Sequence, residues 1–169
     1  MTSVFYATNY GSARDYAEEL AQRLGTTAEE IGDNAPTGDG PLIVFSPVHG
    51  PSIPAVSFVK THSLGERPVA VCAVGMTLID EARRSDYLKA ALGDERADVR
   101  RFYLPGRLNY SELSAAHKAV MFGIINSLKL KPKKSANEKA MIESYGKDTD
   151  HVDFAELDAV EQWARDAAA

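Results

Sequence analysis

The amino-acid sequence predicts an α/β fold in which a parallel sheet of five strands carries helices on both faces. Three observations support this. Short apolar runs of β-formers alternate with helix-patterned segments along most of the chain. Parallel neighbours need crossover connections, which helices supply. Turn residues separate the segments, so each run is bounded like a buried strand.

Ser3 to Ala7 is the first strand, and it stops at Thr8-Asn9-Tyr10-Gly11-Ser12. From Arg14 onward Tyr16, Ala17, Leu20, Ala21 and Leu24 share one helical face, while Glu18, Glu19, Gln22 and Arg23 take the other. Ser12 and Asp15 predict a capping box, and Gly25 the stop. Thr26 to Ile31 forms a short second strand before an acidic loop containing Gly and Pro. Leu42 to Phe45, between Pro41 and Ser46-Pro47, is the third strand, followed by a helix from Pro54 through Thr61. Pro68 introduces the fourth, Val69 to Val74, which ends at Gly75. A helix from Ile79 to Leu92 and a strand from Asp98 to Leu104 follow, closed by Pro105-Gly106. Beyond these, Leu113 to Leu128 is strongly apolar, and Lys131-Pro132-Lys133-Lys134-Ser135-Ala136-Asn137 has the character of an exposed loop. Phe154, Leu157, Val160, Trp163 and Ala164 recur at helical spacing and predict a C-terminal helix on the sheet.

With 169 residues, 44% of them hydrophobic, the chain is expected to form one domain with a full core. A net charge of −5 argues against a partner made of nucleic acid, since neutralising phosphates takes a basic face. The lone Cys72 cannot form an internal disulfide or supply the thiolates of a metal cluster, and its mid-strand position predicts an inert core residue. Neither a secretory signal nor a run of about 20 apolar residues is present, so a cytoplasmic location is expected.

Ligands of open α/β sheets bind beyond the carboxyl ends of the strands. There the chain places Thr8, Asn9, Tyr10, Gly11, Ser12 and Ala13, a small polar loop running into a helix N-terminus. Free N–H groups, the helix dipole and hydroxyls together make a phosphate cradle that needs no Lys or Arg, although an ordinary strand-to-helix turn has the same composition. The Walker signature and the dinucleotide glycine fingerprint are both absent. A phosphoacceptor receiver would need carboxylates where Ala7-Thr8-Asn9 and Ser46-Pro47 stand. The loops Pro47-Val48-His49-Gly50 and Val74-Gly75-Met76-Thr77 are small and apolar, suiting a flat ring gripped edge-on. His49 is either a rim residue or a wall against that ring. The four histidines have no metal-ligand spacing, and no catalytic triad or paired carboxylates are present.

Val4 to Ala13 resembles the FMN-phosphate loop of the flavodoxin superfamily. Pro105-Gly106-Arg107-Leu108-Asn109-Tyr110-Ser111-Glu112-Leu113, the apolar helix after it, and Val152-Asp153-Phe154 through Trp163-Ala164 are similar to the flavodoxin-domain family that includes menaquinone-dependent protoporphyrinogen dehydrogenases. The resemblance implies a flavodoxin-like three-layer sandwich with strand order 2-1-3-4-5, and residues 111–152 as a family-specific helix and lysine-rich loop. It places the FMN phosphate on Thr8, Asn9, Tyr10, Gly11, Ser12 and Ala13, and the ring between Pro47, Val48, His49 and Gly50 on one side and Val74, Gly75, Met76 and Thr77 on the other. Ala13 stands where such loops usually carry Thr. The Trp and Tyr that sandwich the flavin in many electron carriers are missing from the ring loops, leaving His49 or Met76 as covers.

The implied activity is flavin-dependent oxidation of a porphyrinogen in heme biosynthesis, with delivery of electrons to a quinone or a redox partner protein. A soluble flavodoxin acting as an electron carrier, and a flavodoxin-fold interaction module without cofactor, are the other readings. Residues 129–139 carry five Lys and one Glu, a local +4, so the rest of the chain carries −9. With the apolar helix before it, this island predicts peripheral contact through residues 111–139 with the inner face of a membrane, against the alternative of a core helix and a solvated loop.

Overall fold

A computed structural model describes residues 1–48 and 52–169. Its central sheet contains β1 (Ser3–Tyr6), β2 (Ala28–Glu30), β3 (Leu42–Pro47), β4 (Val69–Gly75) and β5 (Arg100–Pro105). They lie in the order β2-β1-β3-β4-β5 and every pairing is parallel. This is the flavodoxin-like arrangement the sequence predicts.

Both faces of the sheet are covered, which is why β3 and β4 at its centre are buried and almost wholly apolar, whereas the edge strand β2 carries exposed Glu29 and Glu30 and β5 begins with Arg100 and Arg101. Leu42, Val44, Val71 and Ala73 pack with Phe58 and Val59 of α2 (Pro54–Thr61) and with Leu88 and Leu92. The intervening residues Ile43, Phe45, Ala70 and Cys72 meet Tyr16, Ala17 and Leu20 of α1 (Ser12–Leu24), together with Leu157 and Val160. Cys72 is fully buried, and burial pushes its thiol well above the ordinary range, in keeping with an inert core role.

Three local expectations need correction. The Ser12–Asp15 capping box does not form: α1 is preceded by Gly11 in the left-handed region (φ 87°), with no side-chain cap. The predicted helix from Ile79 to Leu92 is two helices, α3 (Ile79–Ser85) and α4 (Tyr87–Leu92), broken at Asp86 with φ 43°. Asp86 is held there from β5, since its carboxylate accepts from the Tyr103 hydroxyl and from Arg101 Nε at 3.1 Å. Finally, the lysine-rich segment is loop only in part. After α5 (Ala115–Leu130), Ser135 and Glu138 form a capping box that starts α6 (Ala136–Ser144).

Residues 109–148 make one excursion closed at its base. β6 (Arg107–Leu108) pairs antiparallel with β7 (Thr149–Asp150). Beside that pair the Asp148 carboxylate accepts from the Ser111 N–H at 2.7 Å and its hydroxyl at 2.6 Å. The chain ends in a 3-10 turn (Phe154–Leu157) and α7 (Asp158–Ala168), whose Trp163 ring meets Phe102 edge-on. No helix among the described residues is long and apolar enough to cross a membrane.

Candidate functional site

A cleft of about 360 Å³ opens beyond the carboxyl ends of β1, β3 and β4. Such a volume lies in the range of small-molecule sites, about 300–1,000 Å³. Thr8, Asn9, Tyr10 and Ser12 line one end, and Pro47, Val48, Val74, Gly75, Met76 and Thr77 line the walls. Sequence positions from three separate loops therefore meet in one cavity.

The polar end is built by the turn after β1. Thr8 Oγ1 accepts from the Gly11 N–H at 2.9 Å, curling the loop so that it enters α1 directly. The first-turn N–H groups of Ser12 and Ala13 have no carbonyl one turn back within the helix. Together with the helix dipole they favour an anion. Ala13 itself is buried in the core and does not line the cavity, so only its N–H is available there. Gly11 likewise lies behind the lining rather than in it.

Cations stand closer to this loop than its own residues suggest. A methyl group placed on Gly11 would lie 3.7 Å from Arg107 Nη1 and 3.7 Å from Arg14 Nη2. The Arg107 guanidinium donates to Asp150 at 2.9 Å and to Asp15 at 3.0 Å. These bonds, the Asp150 one foremost and opposed by partial burial, raise its already high pKa. Asp150 is held below the usual carboxylate range, first by the Val152 N–H and then, against burial, by Arg107. The loop thus faces a permanent cation that two carboxylates already neutralise.

The apolar walls are fastened to one another. The Val48 N–H donates to the Val74 carbonyl at 3.2 Å, and the Gly106 N–H to the Gly75 carbonyl at 2.8 Å. Of the predicted ring loop, His49 and Gly50 lie outside the described residues. Tyr87, Gly106, Arg107, Leu108, Met121, Asn137 and Met141 complete the lining and were not predicted from the sequence as site residues. Met121 lies in the apolar run of α5, whereas Asn137 and Met141 belong to α6, where the Ser135-x-x-Glu138 pattern was the available signal. Asn137 Oδ1 accepts from the Leu78 N–H at 3.0 Å, tying α6 to the loop after β4.

A second cavity of about 340 Å³ continues from the first, sharing Gly75, Met76, Thr77, Leu108, Met121 and Met141. Tyr110, Tyr145 and His151 add polar edges to it. Its floor is braced by Tyr16, whose hydroxyl donates to the Pro105 carbonyl at 2.6 Å and accepts from the Asp153 N–H at 2.9 Å. Burial, foremost among several influences, pushes this phenol up to about 12, so it is a neutral strut. The combined cleft can hold a molecule with an anionic end and a flat apolar body, and has room for a second apolar reactant beside that body.

Comparison with curated proteins yields no match. A family model described as flavodoxin domain matches residues 3–135, which takes in the five-stranded sheet, the polar turn after β1, both apolar walls of the cleft and α5. The chain belongs to the flavodoxin-domain family.

Proposed function

We propose that the first cavity binds FMN and that the protein is a flavin-dependent oxidoreductase, resembling the quinone-dependent protoporphyrinogen dehydrogenases of heme biosynthesis. The flavodoxin-domain family generally binds flavin. The observation that carries the enzymatic reading is the second cavity, which shares the Gly75–Thr77 wall and two further methionines, Met121 and Met141, with the first. An electron carrier needs only an exposed ring edge. Here the α5–α6 excursion encloses space next to it.

The residues fit the cofactor at both ends. The N–H groups after Gly11 and the Thr8 and Ser12 hydroxyls would hold the phosphate, and Arg107, which lines the cleft paired with Asp15 and Asp150, would donate to it only by releasing one of those carboxylates. Val48, Val74, Gly75 and Met76 would border the ring, and the thioethers of Met121 and Met141 would exclude water from the space where the substrate lies. When bound, FMN supplies the two-electron chemistry that these side chains lack. Thr77, Tyr110, Ser144, Tyr145, His151 and Asp153 are the polar residues lining the space proposed for the second reactant.

Purified protein that takes up FMN stoichiometrically, and then couples oxidation of a reduced porphyrinogen to reduction of a menaquinone analogue, would bear this out. Flavin binding without that coupling, but with electron transfer to a protein partner, would establish the carrier reading instead. A chain that binds no flavin would leave the interaction module.

A further inference from the structure

The helix α5 is apolar and yet almost unburied. Of its residues only Ile125 is buried, while Val120 is 60% exposed, Phe122 58%, Ile124 41% and Leu130 85%. No charged residue stands between Lys118 and Lys129. Positions 116, 119, 120, 123, 127 and 130 fall on the side opposite Ile125 at a hundred degrees per residue, and all are exposed. A helix that shows water an uncharged face of this kind is one whose partner lies outside the chain.

We propose that this outer face of α5 docks on an anionic lipid bilayer, with the helix lying in the interface plane. Charge complementarity selects that occupant. Lys129, Lys131, Lys133, Lys134 and Lys139 give residues 129–139 a net +4, whereas the remainder of the chain carries −9. An anionic surface therefore attracts this end of the molecule and repels the rest, which both holds and orients it. Glu138 offsets one lysine through its ion pair with Lys131, and the Lys129 amine lies over the Tyr145 ring, leaving Lys133 and Lys134 farthest along the chain from either anchor. A second copy of the chain is the less favoured occupant, because a two-fold contact would bring each lysine island into the same interface as its equivalent. The helix is too short to span a bilayer and combines exposed large apolar side chains with lysines at its ends, which is the composition of an interfacial helix.

Docking of this face rests on α5 and the lysine island that follows it, and not on the cofactor. It has a consequence for the cleft, since Met121, on the inner side of the same helix, lines both cavities. A lipid-dissolved reactant would reach the cleft along the helix that rests on the membrane.

The test is flotation of the full chain with vesicles of phosphatidylcholine alone and of equal parts phosphatidylcholine and phosphatidylglycerol. The expected result is co-flotation with the anionic vesicles, weakened by high salt, and little with the neutral ones. Val120→Ser with Leu130→Ser should reduce partitioning at least about tenfold, and Lys133→Gln with Lys134→Gln should do the same. The lysines are surface residues, so the second pair keeps the test valid if the first alters folding. Absence of flotation overturns the proposal, as does flotation of both double variants equal to that of the parent chain. A concentration-dependent dimer that Val120→Ser with Leu130→Ser dissociates, in a protein that does not float, would assign the face to a second copy and overturn it too.

Discussion

Gly106 and Gly75 meet at the carboxyl ends of β5 and β4, and adding one methyl group should have different consequences at the two. A Cβ on Gly106 would lie 3.3 Å from the Gly75 nitrogen, 3.3 Å from the Gly75 oxygen and 3.3 Å from Val74 Cγ1. Two of those three atoms are backbone, and the Gly106 N–H to Gly75 carbonyl bond at 2.8 Å holds them in place. Carbon contacts are comfortable at about 3.5–4.0 Å, so the two strand ends must part by a few tenths of an ångström. Among the described residues a Cβ on Gly75 would instead meet only Val48, at 3.8 Å from Cβ and 4.0 Å from Cγ2. That is ordinary contact.

Forced overpacking costs about 1–3 kcal/mol. Replacing Gly by Ala recovers about 0.4–1 kcal/mol by restricting the unfolded chain. The net for Gly106→Ala is therefore a loss of up to about 2.6 kcal/mol, near 1.3 kcal/mol at the middle of the two ranges, and for Gly75→Ala a gain of about 0.4–1 kcal/mol. With a urea dependence of about 2 kcal/mol per molar, the unfolding midpoint of Gly106→Ala should fall by about 0.7 M, and at most by about 1.3 M, while that of Gly75→Ala rises. Equilibrium urea unfolding of the two variants beside the parent chain is the assay. A Gly106→Ala midpoint above the parent's, or a Gly75→Ala midpoint below that of Gly106→Ala, refutes the close approach on which the geometry of the cleft depends.

Gly75→Leu should leave the fold in place and reduce FMN affinity at least about tenfold in a fluorescence titration, because the added branches enter the space beside the Gly75–Thr77 wall; unchanged affinity would move the ring elsewhere. Tyr16→Phe leaves the Pro105 carbonyl and the Asp153 N–H without their partner and should cost about 1–3 kcal/mol by urea unfolding. The same phenol predicts a pH effect: its pKa rises on folding from 10.0 to about 12, so its contribution is complete below pH 10 and is lost as pH climbs toward 12. Parent stability should fall more steeply than that of Tyr16→Phe across that window. Ala13→Thr should destabilise by about 1–3 kcal/mol through overpacking and bring no gain in FMN affinity, since Ala13 faces the core; a tighter flavin complex would show that its side chain reaches the phosphate.

Much of the sheet was legible because buried parallel strands leave an unambiguous trace. Pro54–Thr61 coincides with its predicted bounds, since Pro at the first turn and the apolar spacing after it are both local signals. The break at Asp86 was not legible. Its left-handed conformation is stabilised by Tyr103 and Arg101, fifteen or more residues later on another element, and no window around Asp86 contains them. Helix α6 failed for a different reason: Lys131-Pro132-Lys133-Lys134 carries so strong a loop signature that the capping box immediately after it was passed over.

The candidate site divides along the same line. Its phosphate-type turn and ring loops are contiguous stretches whose residue types announce their chemistry. The other half is made by distance in sequence, where Arg107 reaches Asp15 across 92 positions and Asp150 across 43. That guanidinium joins the first turn of α1, beside the polar end of the cleft, to β7, at the base of the excursion that roofs its apolar end. An anion arriving at the loop would compete with Asp15 for Arg107, whose other carboxylate partner, Asp150, belongs to β7. The excursion is held at its base by the β6–β7 pair and the Ser111–Asp148 bonds, and farther out by the bond between Asn137 and the Leu78 N–H. Sequence patterns report on segments that fold against a uniform core. They are silent about a residue whose role is to connect two segments that each look complete without it.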